Sequence, residues 1–407
     1  MNEMSPVPHF PAPPPVPGSQ VGIEFSGDRG EFFRLVRNGA ALELITFGFY
    51  RFWLATDIRR HLWSHTAVDG DAPEYTGRGR ELLIGFLFAL AILVPIYIAY
   101  FVVTIEAERA KAFASIPLFL FFYLFGQFAI YRARRYRLTR TVWRGVRFWM
   151  DGSGWAYAVR AFAWSLLMLP TLGLILPWRE AALERYKMRH CHYGDLPGSF
   201  EGRGSELFKR GWKLWLATLS PLLLGFVLGV VSGGQKAPVA AGISVLATVI
   251  WLFALPFIYG AFKAIEWRWW LSGLRFGEVS FESDLPGNGL YGLYWKVIGW
   301  FLLIDLLFGA YLVACVGLIA GFKNAAQIAA RLQGNIALSA ALVVGYLGII
   351  IAVNVMLRIY LLRDVWARVA SSTTVYRLEA AGNVTAKGDL ASALGEGLAG
   401  SLDVVGF

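Results

Sequence analysis

Long unbroken apolar runs alternate along the chain with short stretches rich in arginine and aromatic residues. A helix that crosses a hydrocarbon core needs about 20 consecutive apolar residues. Six runs meet that length: Leu82–Val103, Phe113–Tyr131, Leu214–Val231, Val239–Gly260, Val297–Ala320 and Asn335–Leu357. Two further runs are shorter or interrupted. Gly39–Tyr50 carries Glu43, and Ala161–Pro177 is broken by Pro170, Gly173 and Pro177. Such pieces lie in the interface, or re-enter and leave on one side with neighbouring protein sheltering their loosened backbone. The pattern predicts an α-helical integral membrane protein with about six transmembrane helices plus two re-entrant or interfacial broken helices.

The polar positions test this reading. Cations cluster in Arg29–Arg37, Arg51–Arg80, Arg132–Arg147, Arg179–Lys213, Lys263–Lys296 and Arg358–Arg377. The connections Thr104–Ala112, Ser232–Pro238 and Gly321–Gly334 hold only Arg109, Lys111, Lys236, Lys323 and Arg331. If the six long runs cross and the two broken ones return, every basic block falls on one face. The positive-inside rule makes that face cytoplasmic, with both termini inside a bacterial inner membrane. Composition agrees, since 57% of residues are hydrophobic and 16% charged, which excludes disorder and an ordinary soluble enzyme for most of the chain. The net charge of +10 could suggest nucleic acid, above all in the basic-aromatic stretch Arg132–Arg147. That stretch follows a spanning run directly, where each cation gains about 1 kcal/mol against anionic lipid. The implied partner is therefore the bilayer, through anionic phospholipids on the cytoplasmic face, and not nucleic acid. A second copy of the chain or another membrane protein also remains compatible. Two cysteines, Cys191 and Cys315, imply no disulfide framework.

An internal repeat organises the chain. An offset of 125 residues aligns Ile45–Trp53 with Pro170–Trp178, matching Thr46 with Thr171, Gly48 with Gly173 and Trp53 with Trp178. The same offset superposes Tyr75–Leu82 on Phe200–Leu207, and an earlier copy, Phe25–Phe33, extends the pattern F/Y-x-G-x-x-x-E-L/F. Each unit reads as a broken apolar helix, a T-x-G turn, a basic-aromatic helix, a short β-hairpin and a membrane hairpin opened by glutamate. Five stretches carry the hairpin signal of β-formers around glycine: TAVDGDAPEYTG, TVWRGVRFWMDG, CHYGDLPGSFEG, SGLRFGEVSFES and SSTTVYRLEAAG. They predict small cytoplasmic β elements capping the bundle. The resulting units are a disordered Pro-rich tail without a signal peptide (1–22), two membrane repeats (23–153 and 154–284), a degenerate C-terminal membrane unit (285–378), and a cytoplasmic Gly/Ala-rich tail with a short amphipathic helix (379–407).

Phe25-x-Gly27, Glu31-Phe32-Phe33, Asn38, Thr46-x-Gly48-x-Tyr50-x-x-Trp53, Arg59-Arg60, Thr66, Asp69-Gly70, Tyr75-x-Gly77, Glu81-Leu82 and the closing GEGLAGSLDVVGF resemble the YjgN family of uncharacterised bacterial inner-membrane proteins. The chain departs from that pattern before Arg358, where LGIIIAVNVMLRIY replaces the T-x-G turn. The resemblance implies a multi-pass inner-membrane protein and carries no activity with it.

Candidate chemistry is sparse. GRG-x-E-L at Gly77 and Gly202 exposes backbone N–H groups beside Arg78 and Arg203, which suits a lipid phosphate, or simply starts a helix with Glu81 and Glu206 against its dipole. Arg132, Arg134, Arg135, Trp53 and Trp178 complete the headgroup candidates at an interfacial belt. His61 and His65 sit one turn apart, and His190 and His192 flank Cys191; together they are weak zinc candidates or amphipathic helix ends. Asp305 lies within WFLLIDLLFGAYL, where an ionisable group is a hypothesis of function by default. Arg160 in the second broken segment is its prospective partner and Glu43 in the first is a third member of this set, for function or for structural pairing. No catalytic triad, HExxH motif or paired carboxylates appear, so no enzyme and no cofactor is implied. Repeats with broken helices point to a small-solute transporter or channel with a site around Thr46, Gly48, Thr171 and Gly173. The alternative is a non-enzymatic scaffold that binds anionic lipid or a partner through its basic face.

Overall fold

A computed structural model describes residues 20–107, 115–231, 238–320 and 336–391. The connections carrying Arg109, Lys111, Lys236, Lys323 and Arg331, the chain before 20 and the tail after 391 lie outside the described residues. The helices are α1 (Arg29–Ile45), α2 (Arg51–Ser64), α3 (Gly79–Ala107), α4 (Ser115–Thr139), α5 (Gly154–Leu166), α6 (Leu176–Arg189), α7 (Gly204–Val231), α8 (Pro238–Gly273), α9 (Tyr291–Ala320) and α10 (Ile336–Leu357). A π-helical stretch, Arg358–Asp364, carries α10 without a break into α11 (Val365–Ser371). Among the described residues, six helices are long and apolar enough to cross a membrane: α3, α4, α7, α8, α9 and the continuous α10–α11 rod. They coincide with the six apolar runs. The two interrupted runs form the tips of the short helical hairpins α1–α2 and α5–α6.

Each helical hairpin ends on one side in strands: β1 (Gln20–Phe25), β2 (Thr66–Val68), β3 (Glu74–Tyr75), β4 (Thr141–Trp143), β5 (Val146–Met150), β6 (Cys191–Tyr193), β7 (Leu196–Phe200), β8 (Leu274–Phe276), β9 (Val279–Ser283) and β10 (Thr373–Tyr376). All five hairpin stretches found in the sequence contribute strands. They do not stay separate. They join into one antiparallel sheet ordered β2-β1-β10-β9-β8-β7-β6-β5-β4-β3, because a lone two-stranded hairpin leaves two unpaired edges and is marginal in water. Asp69-Gly70 and Arg144-Gly145 turn with both residues at positive φ, which matches the twist of a tight hairpin.

Closure of this sheet depends on the N-terminal strand. Val21 faces Val375 of β10 and Ile23 faces Val68 of β2, so β1 bridges the last strand to the first hairpin. It begins at Gln20, inside the span expected to be tail as far as residue 22, and its two neighbours order it. The outermost strands, β2 and β3, are adjacent in sequence and are joined by residues 69–73. The sheet therefore curls into a half-barrel around Trp143, Tyr193, Val279, Val375 and Leu378.

Helix packing follows chain order around a ring: α1 on α2, α2 on α3, α4 on α5, and onward through α9 on α10, with α10 returning to α1. Helices α3 and α4 meet at their sheet-proximal ends, where Glu81 accepts hydrogen bonds from Tyr136 (2.8 Å) and Arg140 (2.7 Å). The buried core sits near the sheet, as in the cluster of Phe32, Val36, Leu54, Leu62 and Ile359. Farther out, Phe119 (73%), Val231 (78%) and Leu318 (87%) stand exposed, the arrangement expected where lipid is the solvent.

Candidate functional site

The two T-x-G turns have the same construction. Thr46 and Thr171 donate their hydroxyls to the carbonyls of Leu42 (2.7 Å) and Leu167 (2.5 Å). Gly48 and Gly173 donate N–H to Glu43 (2.7 Å) and Met168 (2.8 Å), closing each helix with a left-handed cap. Glycine supplies the required φ of 87° and 81°, but Phe47 and Leu172 also adopt φ of 52° and 48°, which costs an L-residue about 1–2 kcal/mol each. Both tips are apolar and bare, with Phe47 at 94% and Leu169 at 86% exposure.

Glu43, Arg160 and Asp305 each have separate surroundings. Glu43 pairs with Arg358 at 3.2 Å, so the π-helical stretch that replaces the third T-x-G turn supplies its counter-ion. Arg160 lies over the Tyr186 ring at 4.5 Å and donates to the Ala156 carbonyl. Asp305 is exposed on α9, with no ion pair among the described residues. Gly173 borders an apolar cavity of about 320 Å³ between the end of α5–α6, α7 and α8.

At the GRG motifs, the second glycine serves close approach. A Cβ on Gly79 would come within 2.8 Å of Trp53 Cα, and one on Gly204 within 2.7 Å of Trp178 Cα. The first glycine's carbonyl accepts from an arginine of the preceding helix, Gly77 from Arg60 (3.2 Å) and Gly202 from Arg185 (3.4 Å), and in the third copy Gly27 accepts from Arg363 (2.5 Å) of the π-helical stretch near the other end of the chain. Glu81 is spent on Tyr136 and Arg140. Arg78 and Arg203 remain exposed, beside the part-exposed Trp53 and Trp178.

The four histidines fall into two separate groups. His190 Nδ1 lies 2.6 Å from Asp151, and His192 stacks on Trp149 at 4.1 Å. His61 and His65 pack against each other, tilted by 35° with ring centroids 4.2 Å apart, beside Glu31. Cys191 is buried, and burial pushes its thiol up to about 11.

A site that sequence reading missed occupies the junction of helices and sheet. A cavity of about 400 Å³ is walled by one face each of α4 (Arg134, Arg137, Leu138, Thr141), α8 (Trp267, Trp270, Leu271, Leu274) and α11 (Trp366, Val369, Ala370, Thr373). Each set follows the i, i+3, i+4, i+7 spacing of a single helical face, and its last member opens the next strand. Trp63 and Lys187 complete the wall. Trp366 donates to Thr66 Oγ1 (2.8 Å), Trp63 donates to Thr141 Oγ1 (3.1 Å), and the two indoles stack at 5.1 Å. Among the described residues the wall thus holds three cations and four tryptophans and no carboxylate.

Behind it, buried Glu184 pairs with Lys187 and with Arg134 (3.2 Å). Burial alone would raise the Glu184 carboxyl, but Lys187 and Arg134 outweigh it and hold it at about 2. Arg134, expected at the headgroups, points inward instead. The cavity shares Trp63, Thr141, Phe281 and Trp366 with a second cavity of about 250 Å³ inside the half-barrel.

No curated protein and no solved structure matches this chain. The model of one family, described as bacterial protein of unknown function (DUF898), matches residues 20–399. These residues span the whole sheet and every described helix, and the chain therefore belongs to this bacterial family, the YjgN family of the sequence resemblance.

Proposed function

We propose that this is a non-enzymatic inner-membrane protein that binds an anionic amphiphile in the chamber between its helices and its half-barrel, with the sheet and both termini in the cytoplasm. The observation that carries this is the chamber wall, in which three cations meet four indoles in about 400 Å³. Ligand sites are commonly apolar concavities of that size with a few convergent polar groups, and a desolvated anion on an apolar stem satisfies both halves of this wall. The cytoplasmic assignment is supported by the sheet, which gathers the basic blocks onto one side. The repeat is supported by the twin turns and by the twin Gly79–Trp53 and Gly204–Trp178 contacts. The bare apolar tips at Phe47 and Leu169 support re-entrant hairpins.

Quenching of tryptophan fluorescence in the full chain, in neutral detergent, tests the reading, with a long-chain fatty carboxylate as probe and the matching fatty alcohol as control. Saturable quenching by the carboxylate is expected, weakened about tenfold in Arg137→Gln, since a hydrogen bond to a charged group contributes about 1.5–3 kcal/mol. Equal quenching by carboxylate and alcohol sinks the proposal. Solute transport is the second reading, favoured by the ring packing and by the wall residues that the chamber and the half-barrel cavity share. It predicts flux in proteoliposomes that Asp305→Asn abolishes without unfolding the protein.

A further inference from the structure

We propose that Glu31, His61 and His65 form a binding site for a divalent transition metal of the zinc class where α1 meets α2. One ligand atom from each residue lies within 4.8 Å of the other two. Around tetrahedral zinc, ligands at about 2.0–2.1 Å stand about 3.4 Å apart, so closure takes movements of about 1 Å. Glu31 can supply much of this, because its side chain is 56% exposed on the first turn of α1.

The imidazoles are arranged as ligands. His61 and His65 are four residues apart at the end of α2, which places both rings on one helical face. His65 Nδ1 lies 2.7 Å from the His61 carbonyl; the N–H must therefore sit on Nδ1, which leaves the Nε2 lone pair free for a metal, as backbone carbonyls commonly orient metal-bound histidines. His61 is buried, yet neither ring nitrogen has a hydrogen bond among the described residues: Nε2 has no partner, and Nδ1 is 4.0 Å from Glu31. A buried polar group in that condition calls for a ligand or another explanation.

Phe32, at 5.4 Å, braces the His61 ring. Arg363 approaches, but Asp364 holds its charge at 2.7 Å. Two nitrogens and one carboxylate suit zinc and its first-row neighbours rather than calcium or magnesium, and three protein ligands leave one position for water. Bound there, the metal ties the β1–α1 segment to α2, independently of what the chamber holds.

Tag-free full chain in detergent, stripped with chelator and titrated with Co²⁺ and then Zn²⁺, tests the site. One equivalent of Co²⁺ with visible ligand-field absorption, displaced by Zn²⁺, is expected. Glu31→Gln and His65→Gln each weaken binding by at least about tenfold, while His190→Gln combined with His192→Gln leaves it unchanged. Glu31 is half-exposed, so that variant reports on the metal even where substitution of buried His61 disturbs folding. Absence of the ligand-field bands in wild type, equal titrations for wild type and Glu31→Gln, or loss of binding on changing His190 and His192 would each overturn the proposal.

Discussion

Replacing Glu184 by glutamine keeps its shape and removes its charge, leaving Arg134 and Lys187 side by side without their shared counter-ion. Its side chain is 10% exposed, and those of Arg134 and Lys187 are 21% and 13% exposed, so water screens little of this interaction. The carboxyl is held at about 2 against an ordinary 4.5, which corresponds to about 3 kcal/mol of preference for the charged form in the folded protein. Breaking a buried pair by removing one partner costs a similar 3–5 kcal/mol. At roughly 2 °C per kcal/mol for a large chain, Glu184→Gln should melt on the order of 6 °C below wild type at pH 7 in detergent.

The pH dependence makes this diagnostic. A carboxyl with a lowered folded-state pKa stabilises the fold fully above its unfolded value and loses that contribution as pH falls through the folded one. The gap between wild type and Glu184→Gln should therefore be constant above about pH 4.5 and shrink as pH falls from there toward 2. Adding Arg134→Gln to Glu184→Gln should recover part of the loss, since one stranded cation is removed. Equal melting temperatures at pH 7, or a gap that stays constant through the acid range, would refute the assigned role of Glu184.

Gly79→Ala and Gly204→Ala, whose new methyl groups would meet Trp53 and Trp178 backbone at 2.8 and 2.7 Å, should each destabilise by about 1–3 kcal/mol, measured by thermal unfolding. Gly126→Ala, with nothing within 4 Å, should be neutral or slightly stabilising because alanine is the better helix former. Phe47→Trp should place an indole in hydrocarbon, so its emission should be quenched by lipids brominated on the acyl chain and not by aqueous iodide; the reverse pattern would end the re-entrant reading of α1–α2. Cys191, buried with its thiol pushed to about 11, should resist maleimide at pH 7.5 until the protein is unfolded, because the thiolate is the reactive form.

The spans and hairpins were legible because their signals are local. Apolar length identifies α3, α4 and α7 to α10, and Asp69-Gly70 or Arg144-Gly145 between β-formers announces a turn. Closure of the sheet was not legible: Val21, Ile23 and Phe25 alternate as a strand does, but nothing local names the partners, Val375 and Val68, that it joins. The metal-binding trio was half visible: His61 and His65 declare themselves by spacing, whereas Glu31 belongs to another helix and reads locally as a first-turn acid.

The chamber was hidden for a different reason. Arg134, Arg137, Leu138 and Thr141 form an obvious helical face, yet periodicity is blind to which way a face points. Beside a spanning run, an arginine has two favourable destinations, outward to lipid phosphate or inward to a buried carboxylate. For Arg134 the choice is settled by Glu184, fifty residues away on α6. The sequence does hold one clue, because the same i, i+3, i+4, i+7 face ends at a strand in α4, α8 and α11. Outward-facing residues of membrane helices have no reason to keep register with the strands that follow. A face that keeps this register in three helices is set by the common axis around which the strands close.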